Sequence, residues 1–455
     1  MTLPTVTNLM FKRLFGTDGV RGKAGEAPLD PQTVARLGAA LVKAMRHDDR
    51  PLRFLVGRDT RESGEWIERE LARGAGSAGA SITSAGIVPT PAIAYVTRVM
   101  PFDAGIVISA SHNPFQDNGI KVFSGKGEKF TEELERDVEA IVYRDDWAVP
   151  DSAEARIDRL DIIDPYIAHL RRALPDAGRL GRLRVGVDMA NGATTSVAPR
   201  LFAELGFDVR ALGASPDGRN INLDCGSTHP EALTRVVREE GRSLGIAFDG
   251  DGDRAIFVDG DGRVVDGDAV LLMCARHLKA TGGLLGDAIV ATVMSNIGLE
   301  VALRESQIDL VRCPVGDKYV MEEMLKRGLS LGGEQSGHII FSDHLYTGDG
   351  IATALNVMRV MAETGRELSD LASELVTYPQ VLVNVRVRER KELRGIPAVA
   401  DVMDRVERRL SGHGRLLVRY SGTEPLVRVM LEGRDQQEIQ HWAAEIAGAV
   451  REHLG

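Results

Sequence analysis

The chain has 455 residues, of which 43% are hydrophobic and 27% charged, and its formal net charge is −10. This composition is typical of a globular protein too long for one ordinary hydrophobic core, so we expect several domains. The negative net charge argues against non-specific nucleic-acid binding, although a local cluster of arginine and lysine can still bind an anionic substrate. Three scattered cysteines without zinc-site spacing indicate a reducing compartment and no structural disulfide: Cys225, Cys274 and Cys313.

The N-terminal segment lacks the features of a secretion signal, because no apolar stretch there precedes a small-residue cleavage site. Residues 74–97 carry no charge, but they are rich in Gly, Ser, Ala and Pro rather than continuously apolar. They therefore do not predict a membrane span. We expect a cytoplasmic protein that binds neither membranes nor nucleic acids.

An α/β pattern recurs three times along the chain. Each copy begins with an apolar strand, continues into an amphipathic helix and returns to a second strand. The first strands are RFLVGRD (53–59), RVGVDMANG (184–192) and AIVATVMSN (288–296). The second strands are ASITSAG (80–86), DVRALGA (208–214) and DLVRCPVG (309–316).

A third strand in each copy leads into a polar loop, and a further β-rich stretch follows the loop. The three strand-and-loop segments are AGIVISASHNP, LGIAFDGDGDR and LSLGGEQSGH. Ligands of open α/β sheets lie beyond the carboxyl ends of strands, so three related domains could direct three different loops into one cleft. The alternative is that three α/β units resemble each other by composition alone.

The last part of the chain has a different pattern, which predicts a small α+β domain. From Tyr378 onward it reads as strand, helix, two strands and a C-terminal helix, while the polar stretch 149–158 reads as a connector. We therefore predict an α/β protein with three related α/β domains with mixed sheets and a smaller C-terminal α+β domain, arranged around a central cleft. The predicted domains are residues 1–158, 159–262, 263–376 and 377–455.

The segment DGDGDR predicts a divalent metal site. On a straight strand the outer carboxylates would lie too far apart to share one ion, but the two glycines allow the backbone to curl so that Asp249, Asp251 and Asp253 converge. An all-oxygen site suits Mg²⁺. An EF-hand is excluded, because Arg254 and Gly260 stand where that loop needs Gly and Glu. The apolar strand before the segment favours a metal site over a solvated turn.

The loop SASHNP predicts a phosphorylated serine, and Ser111 is the first candidate. The residue does not lie in the G-x-S-x-G turn of a serine hydrolase, and Asn113 and Pro114 fit a tight loop that exposes the hydroxyl. A phosphoserine, three aspartates and Mg²⁺ together carry a charge of about −3. The candidates to offset that charge are Arg254, Lys121 and Arg21. Ser109 is a competing phosphate acceptor, and the residues alone do not decide between the two serines.

Two further loops carry side chains suited to a sugar phosphate. FGTDGVRG is a glycine-rich loop that contains Arg21, and a simple turn is its alternative interpretation. GGEQSGH places Glu334 and Ser336 at alternate positions after a strand, where a carboxylate and a hydroxyl suit sugar hydroxyls or an amine. His338 in the same loop, taken alone, is more often a structural histidine.

The segment RYSGTEP predicts a phosphate-binding loop between two strands. Hydroxyls, backbone N–H groups and guanidinium groups together form a cradle for an anion. A hairpin with a surface arginine is the alternative. The candidate residues are Arg419, Ser421, Gly422, Thr423 and Arg428.

In this order the five segments resemble the α-D-phosphohexomutase superfamily over essentially the whole chain. The resemblance implies three related α/β domains and a smaller C-terminal one. The phrases FGTDGVRG, ISASHNPFQDNGIKVF, CGSTHPE and GGEQSGH are similar to the bacterial branch that acts on amino-sugar phosphates. Gln335 stands where related enzymes for neutral hexose phosphates typically have Met.

The resemblance also implies a role for each candidate residue. Ser111 is phosphorylated in the active enzyme and completes a Mg²⁺ site with Asp249, Asp251 and Asp253. The residues near the transferring group, which assist proton and charge movement, are Arg21, Lys121 and His338. The residues that bind the substrate are Arg254, Glu334, Ser336, Arg419, Ser421, Gly422, Thr423 and Arg428.

The implied reaction is isomerisation of glucosamine 6-phosphate and glucosamine 1-phosphate, which feeds UDP-N-acetylglucosamine synthesis. It runs through the phosphoserine and a 1,6-bisphosphate, and a bisphosphorylated sugar is the activator. The alternatives are a mutase of neutral hexose phosphates, a Mg²⁺-dependent sugar phosphatase and a non-catalytic sugar-phosphate sensor. The sequence does not decide between a monomer and a homodimer.

Overall fold

The structure, a computed structural model, describes residues 13–46, 48–410, 412, 414–421 and 425–455. The chain forms two compact units. The first comprises Met1–Met294 with Leu310–Ala372, and the second comprises Ser295–Asp309 with Ser373–Gly455. Among the described helices, none has both the length and the apolar character needed to cross a membrane.

The first sheet of the first unit has seven strands. They are β1 (Phe15–Gly16), β2 (Gly19–Lys23), β3 (Arg53–Arg58), β4 (Ser81–Ile87), β5 (Ala104–Ile108), β6 (Asp117–Ser124) and β7 (Ile157–Arg159). Their order is β1-β2-β6-β5-β3-β4-β7. The strands β5, β3, β4 and β7 pair in parallel, whereas β6, β2 and β1 continue the sheet in antiparallel pairs. The parallel strands are rich in buried β-branched residues, as expected for a sheet covered by helices.

Five helices accompany this sheet: α1 (Pro31–Met45), α2 (Gly64–Ser77), α3 (Thr90–Val99), α4 (Glu132–Val142) and α5 (Ile163–Leu170). α1 begins after Asp30, whose carboxylate accepts a hydrogen bond from the Thr33 N–H at 3.0 Å. α1 and α2 approach so closely at Gly74 that a Cβ atom there would lie 1.8 Å from the Ala35 carbonyl oxygen. The glycine therefore sets the distance between the two helices.

The predicted connector 149–158 is partly a strand, because β7 pairs with β4 at the edge of the sheet. The strand has only three residues, IDR, and two of them are exposed. Neither an apolar run nor a clear alternation marks it, so its sequence does not reveal it.

The second sheet has five strands: β8 (Arg184–Asp188), β9 (Asp208–Leu212), β10 (Leu244–Phe248), β11 (Ala255–Asp259) and β12 (Val264–Val265). Their order is β12-β11-β10-β8-β9. Its helices are α6 (Ala198–Glu204) and α7 (Glu231–Glu240). The hairpin between β11 and β12 turns at Gly262, which has a φ of +76°.

The third sheet has four strands: β13 (Ala288–Thr292), β14 (Asp309–Cys313), β15 (Leu331–Gly333) and β16 (Ile339–Phe341). Their order is β14-β13-β15-β16. The helices of this part of the chain are α8 (Gly267–Ala280), α9 (Ile297–Glu305), α10 (Asp317–Arg327), α11 (Gly350–Thr364) and α12 (Leu368–Ala372). α9 belongs to the second compact unit.

The three sheets of the α/β part repeat one structural step, which confirms the predicted repeat. In each, a strand pairs in parallel with the first strand of its copy (β3, β8 or β13), ends in a polar loop and is followed by an antiparallel partner. The three strand pairs around the loops are β5 with β6, β10 with β11, and β15 with β16. The SASHNP, DGDGDR and GGEQSGH segments thus lie at corresponding positions.

The second unit contains an antiparallel sheet of β17 (Gln380–Arg386), β18 (Gly414–Tyr420) and β19 (Leu426–Gly433) in the order β17-β19-β18. Its other helices are α13 (Pro397–Leu410) and α14 (Gln436–Leu454). Buried residues of the sheet and both helices form one hydrophobic cluster. This is the predicted α+β domain. The exact bounds of the four domains remain predictions.

Short 3₁₀ helices complete the described secondary structure: Arg171–Ala173, Ala177–Leu180, Ala193–Ser196, Leu285–Asp287 and Leu393–Gly395.

Candidate active site

Ser111 lies in the loop after β5, with a backbone φ of +53°. Its hydroxyl donates a short hydrogen bond to Asp249 Oδ2, across the boundary between the first and second sheets. Ser111 is fully buried, so the expectation of an exposed hydroxyl is wrong for this conformation. The reason is that the aspartate loop packs on the serine: a Cβ atom at Gly250 would lie 2.6 Å from the Ser111 carbonyl oxygen.

Ser109, the competing acceptor, is oriented differently. Its hydroxyl donates to Asp59 Oδ2 at 2.6 Å and accepts the Ser111 N–H at 2.9 Å. Both partners belong to the first α/β repeat, and the residue is fully buried. Within this loop, the hydroxyl that faces the three aspartates is therefore that of Ser111.

The next residue, His112, has Nδ1 at 3.3 Å from the Ser111 hydroxyl. Burial lowers the pKa of His112 to about 4, and the charges of Arg254 and Arg21 act in the same direction. The ring is therefore neutral near pH 7.

The three aspartates of the second loop converge as predicted. Asp249, Asp251 and Asp253 each offer a carboxylate oxygen, and these oxygens lie within 4.8 Å of one another. All three residues are buried, and Gly252 permits the turn with a φ of +74°. Asp251 Oδ1 is buried and accepts no hydrogen bond from any residue the structure describes. Such an oxygen set fits a hard divalent cation.

The environment shifts the pKa values of Asp249 and Asp253 in opposite directions. Burial raises the pKa of Asp249 well above its ordinary value, and the charges of Asp253 and Asp251 add to the effect. Burial also acts to raise the pKa of Asp253, but Lys121 and His338 outweigh it and hold that pKa well below the ordinary value. A cation between the carboxylates favours the ionised form of all three.

Lys121 lies in the middle of β6, and its ammonium group faces the aspartate loop. Nζ is 2.8 Å from Asp251 Oδ2, 3.0 Å from Asp253 Oδ2 and 3.1 Å from Asp18 Oδ2. Burial lowers the pKa of Lys121, but these carboxylates outweigh it and raise the pKa well above its ordinary value. The lysine is thus a permanent positive charge beside the candidate metal site.

Arg21 in β2 joins the same group through Asp18, which accepts a short hydrogen bond from its guanidinium. Asp18 also pairs with Lys129 at 2.5 Å, and Lys129 makes a second short ion pair with Asp317 at the start of α10. This chain of charges links the first and third sheets. Sequence reasoning named Arg21 but missed Asp18, Lys129 and Asp317.

The third loop brings His338 to the aspartates, with Nδ1 at 3.6 Å from Asp253 Oδ1. The Gly348 N–H donates to Nε2 at 2.9 Å. Burial lowers the pKa of His338, but Asp253, Asp317 and Glu334 together outweigh it, so the net shift is upward. Because Nε2 accepts a backbone hydrogen bond, we take the ring as neutral, with its proton on Nδ1 toward Asp253.

The other residues of this loop differ in exposure. Glu334 is buried, and its Oε1 accepts a hydrogen bond from the Gly316 N–H at 3.2 Å. Ser336 is exposed. Gln335 donates to Asp266 Oδ2 at 3.1 Å.

Arg254 follows the third aspartate of DGDGDR and has its Nε at 3.8 Å from Asp253 Oδ1. Burial lowers the pKa of Arg254, while Asp253, Asp249 and Glu334 raise it, and the net shift is upward. Its guanidinium therefore stands between the second and third loops as a fixed positive charge.

The candidate phosphate loop of the second unit lies partly outside the described residues, which do not include Gly422 and Thr423. Arg419 on β18 and Arg428 on β19 are opposite each other in the strand register. The Ser421 N–H donates to the Leu426 carbonyl at 2.8 Å. The predicted pair of strands on either side of the loop is therefore present.

Family models match four segments of the chain. Three are described as phosphoglucomutase/phosphomannomutase alpha/beta/alpha domains I, II and III, and they match residues 12–148, 164–262 and 266–378. The fourth is the phosphoglucomutase/phosphomannomutase C-terminal domain, over residues 382–449. The chain therefore belongs to the phosphoglucomutase/phosphomannomutase family.

Individual relatives refine this result. The chain is 48% identical over 449 residues to a phosphoglucosamine mutase of Solibacter usitatus (strain Ellin6076), covering 98% of this chain and 100% of that protein. A phosphoglucomutase/phosphomannomutase family protein from Burkholderia thailandensis has a similar structure, with a TM-score of 0.81 at 24% identity and 97% coverage of both chains. Aspergillus fumigatus N-acetylphosphoglucosamine mutase, in complex with GlcNAc-6P and magnesium, gives a TM-score of 0.67 at 18% identity, covering 96% and 95%.

Proposed function

We propose that this enzyme is a phosphoglucosamine mutase that interconverts glucosamine 6-phosphate and glucosamine 1-phosphate through a phosphoserine at Ser111. The observation that carries the proposal is the hydrogen bond from the Ser111 hydroxyl to the first of three converging aspartates. A nucleophile beside a divalent cation site is the arrangement that phosphoryl transfer requires. The 48% identity to a phosphoglucosamine mutase over the whole chain supports the choice of substrate.

Mg²⁺, held by Asp249, Asp251 and Asp253, would supply Lewis-acid neutralisation of the phosphoryl oxygens. The chain itself contributes fixed positive charge close to the same point. Lys121 Nζ donates a hydrogen bond to Asp251, and Arg254 Nε lies 3.8 Å from Asp253, so both charges are already next to the aspartate loop. Such preorganised charge lowers the barrier to transfer more than mobile groups in water do.

Protons must also move, because the sugar hydroxyl loses one when it attacks the phosphoserine. His338 is a candidate to assist, since its Nδ1 faces Asp253 and its ring is fixed by the Gly348 N–H. Glu334 and Ser336 are the candidates to bind sugar hydroxyls or the amine. Arg21 is a further cation near the transferring group.

The reaction has two halves, and the sugar has to turn around between them. Ser111 first donates its phosphoryl group to the free hydroxyl, which gives a 1,6-bisphosphate, and the other phosphate then returns to Ser111. In this proposal RYSGTEP, through Arg419, Ser421, Gly422 and Thr423, binds whichever phosphate is not reacting, together with Arg428 further along the chain. A bisphosphorylated sugar is the proposed activator. A cytoplasmic location remains a prediction.

The nearest alternative substrate class is neutral hexose phosphates. Gln335 does not point to an amine by itself, because its amide is already bonded to Asp266. The preference for the amino sugar therefore rests on the relatives. ³¹P NMR of glucosamine, glucose and mannose 6-phosphates with Mg²⁺ and a trace of bisphosphate compares the substrates directly.

The test of the nucleophile is Ser111→Ala, with Ser77→Ala on the exposed face of α2 as the control. We expect Ser111→Ala to fold and to lose nearly all mutase activity, whereas Ser77→Ala keeps it. Radiolabelled bisphosphate should label the peptide containing residue 111 in the wild type and in Ser77→Ala, but not in Ser111→Ala. Turnover of Ser111→Ala near the wild-type rate contradicts the proposal, and release of inorganic phosphate faster than isomerisation indicates a phosphatase instead.

A further inference from the structure

Arg61, between β3 and α2, is the largest fully buried side chain of the described residues. Its guanidinium has five N–H donors, and every one has an acceptor. Nε donates to Asp59 Oδ2 at 2.8 Å, and the other four donate to backbone carbonyls between the end of β5 and the first residue of β6. These carbonyls belong to Ser111 (2.9 Å), Asn113 (2.9 Å), Asp117 (3.0 Å) and, in a shorter bond, Pro114.

Asp59 connects this arginine to the serine loop from the other side. Its Oδ2 accepts from both Arg61 Nε and the Ser109 hydroxyl, and its Oδ1 accepts from the Arg61 N–H at 3.0 Å. Ser109 in turn accepts the Ser111 N–H. Both the N–H and the carbonyl of Ser111 are therefore fixed by one buried ion pair.

A second support comes from the loop before α7. Asn222 Nδ2 donates to the carbonyls of Ser111 at 2.9 Å and Asn113 at 3.1 Å. These are two of the carbonyls that Arg61 also binds, so the serine loop is held from the first and the second α/β repeat together.

The loop needs such support because its backbone is strained. A serine with a φ of +53° is in the left-handed region, which non-glycine residues occupy only where the surroundings hold them there. A relaxed backbone would rotate the Ser111 hydroxyl away from Asp249. In phosphoryl transfer, a displacement of about 1 Å can reduce the rate by about 100-fold.

We propose that Arg61 and Asp59 are positioning residues for the phosphoryl-transfer step, which hold the strained backbone of Ser111 so that its oxygen stays in line with the metal site. The inference rests on the proposed function, because it assigns these residues to the same reaction. Neither residue touches the reacting atoms. Their effect is transmitted through the backbone of residues 109–117.

Lysine cannot replace Arg61 in this role. It has three donors on one nitrogen, whereas the planar guanidinium distributes five donors over one carboxylate and four carbonyls. Arg61→Lys keeps the positive charge next to Asp59 and removes the geometry, so it separates positioning from charge.

The chain offers a matched control in Arg36 of α1. Its guanidinium also donates to backbone carbonyls, those of Val142 (3.0 Å from Nε), Trp147 (2.8 Å) and Arg144, the last in a shorter bond. None of these carbonyls belongs to the serine loop. Arg36→Lys thus removes a comparable set of bonds and reports the purely structural effect.

The experiment compares wild type, Arg61→Lys and Arg36→Lys in steady-state kinetics and in hydrogen exchange of the peptide spanning residues 109–117. We expect Arg61→Lys to lower kcat by about 100-fold while KM changes by less than about threefold. The same variant should exchange the amides of that peptide faster. Arg36→Lys should leave both quantities at the wild-type level.

Equal kcat in the two variants, or unchanged exchange in Arg61→Lys, overturns the proposal. The exchange measurement does not need an active enzyme, so it still decides the question if the wild type proves inactive on all hexose phosphates and the proposed function fails. If Arg61→Lys does not fold, Asp59→Asn takes its place in the same comparison, because it preserves the volume and removes one charge.

Discussion

Replacing Lys121 by methionine tests the electrostatics of the candidate site most directly. The Lys121 side chain is 2% exposed and lies within 3.1 Å of three carboxylates, those of Asp18, Asp251 and Asp253. Methionine has a similar length and no charge, so the substitution leaves these carboxylates without their shared cation. Removing one partner of a buried ion pair destabilises a protein by about 3–5 kcal/mol. We expect the free energy of unfolding of the first compact unit to decrease by that amount.

The control is Lys23→Met. Lys23 also makes an ion pair, with Glu26 at 2.5 Å, but its side chain is 60% exposed. Exposed pairs contribute about 0–1 kcal/mol, so this variant should stay near the wild type.

Urea denaturation followed by fluorescence or circular dichroism, with EDTA and then with Mg²⁺, measures both variants. At ten times its dissociation constant Mg²⁺ adds about 1.4 kcal/mol of stability to the wild type. It should add more to Lys121→Met, because the ion replaces the missing positive charge beside Asp251 and Asp253. If Lys121→Met loses no more stability than Lys23→Met, the three carboxylates are not held as charged groups by this lysine, and the reasoning fails.

Two further substitutions test the fold. Gly74→Ala should lower the free energy of unfolding by about 1–3 kcal/mol, because its Cβ would meet the Ala35 carbonyl between α1 and α2. Gly76→Ala on the same helix has room and should be neutral or stabilising. Chemical denaturation compares the two variants. His169 stacks on Tyr95 at 4.0 Å, and burial lowers its pKa from 6.5 to about 3. The unfolded chain therefore takes up a proton first, and stability falls as the pH drops below about 6.5 toward 3. In His169→Phe the urea midpoint should decrease less between pH 7 and pH 4.5 than it does in the wild type. An equal decrease in both proteins would mean that other groups cause the loss of stability.

The parts of the fold that the sequence predicts best are those where local pattern and burial agree. β5 is five buried residues, AGIVI, before a polar loop, and the same step recurs at β10 and before GGEQSGH. The glycines of DGDGDR allow the backbone to curl so that all three aspartates face one point. The structure has that curl. These features depend on neighbours in the chain, so a single sequence contains enough information.

The network around the site is harder to predict, because its residues come together only through the tertiary structure. Lys129 and Asp317 are 188 residues apart, and nothing in either segment marks the other as its partner. Arg61 reads as one of the two arginines in GRDTRESG. Its burial against four carbonyls follows from the path of the serine loop, which local pattern does not determine.

The charges of the site explain why so many buried ionisable groups occur together. The group contains six carboxylates and four cations, with a formal charge of −2: Asp18, Asp249, Asp251, Asp253, Asp317, Glu334, Arg21, Lys121, Lys129 and Arg254. One divalent ion neutralises this total. A phosphate on Ser111 adds about −2 again, and the substrate brings its own phosphate of similar charge.

These four cations and one divalent ion only balance the six carboxylates, so burying both phosphates needs further cations elsewhere on the chain, since an unpaired charge is strongly disfavoured away from water. In the proposed mutase, Arg419 of RYSGTEP and Arg428 of β19 serve the phosphate that does not react, whereas the aspartate loop and Lys121 serve the one that does. This division of roles explains why the chain has one nucleophile but two proposed phosphate sites, each with arginine or lysine side chains. A phosphatase would need only one such site, because its sugar product leaves without a phosphate.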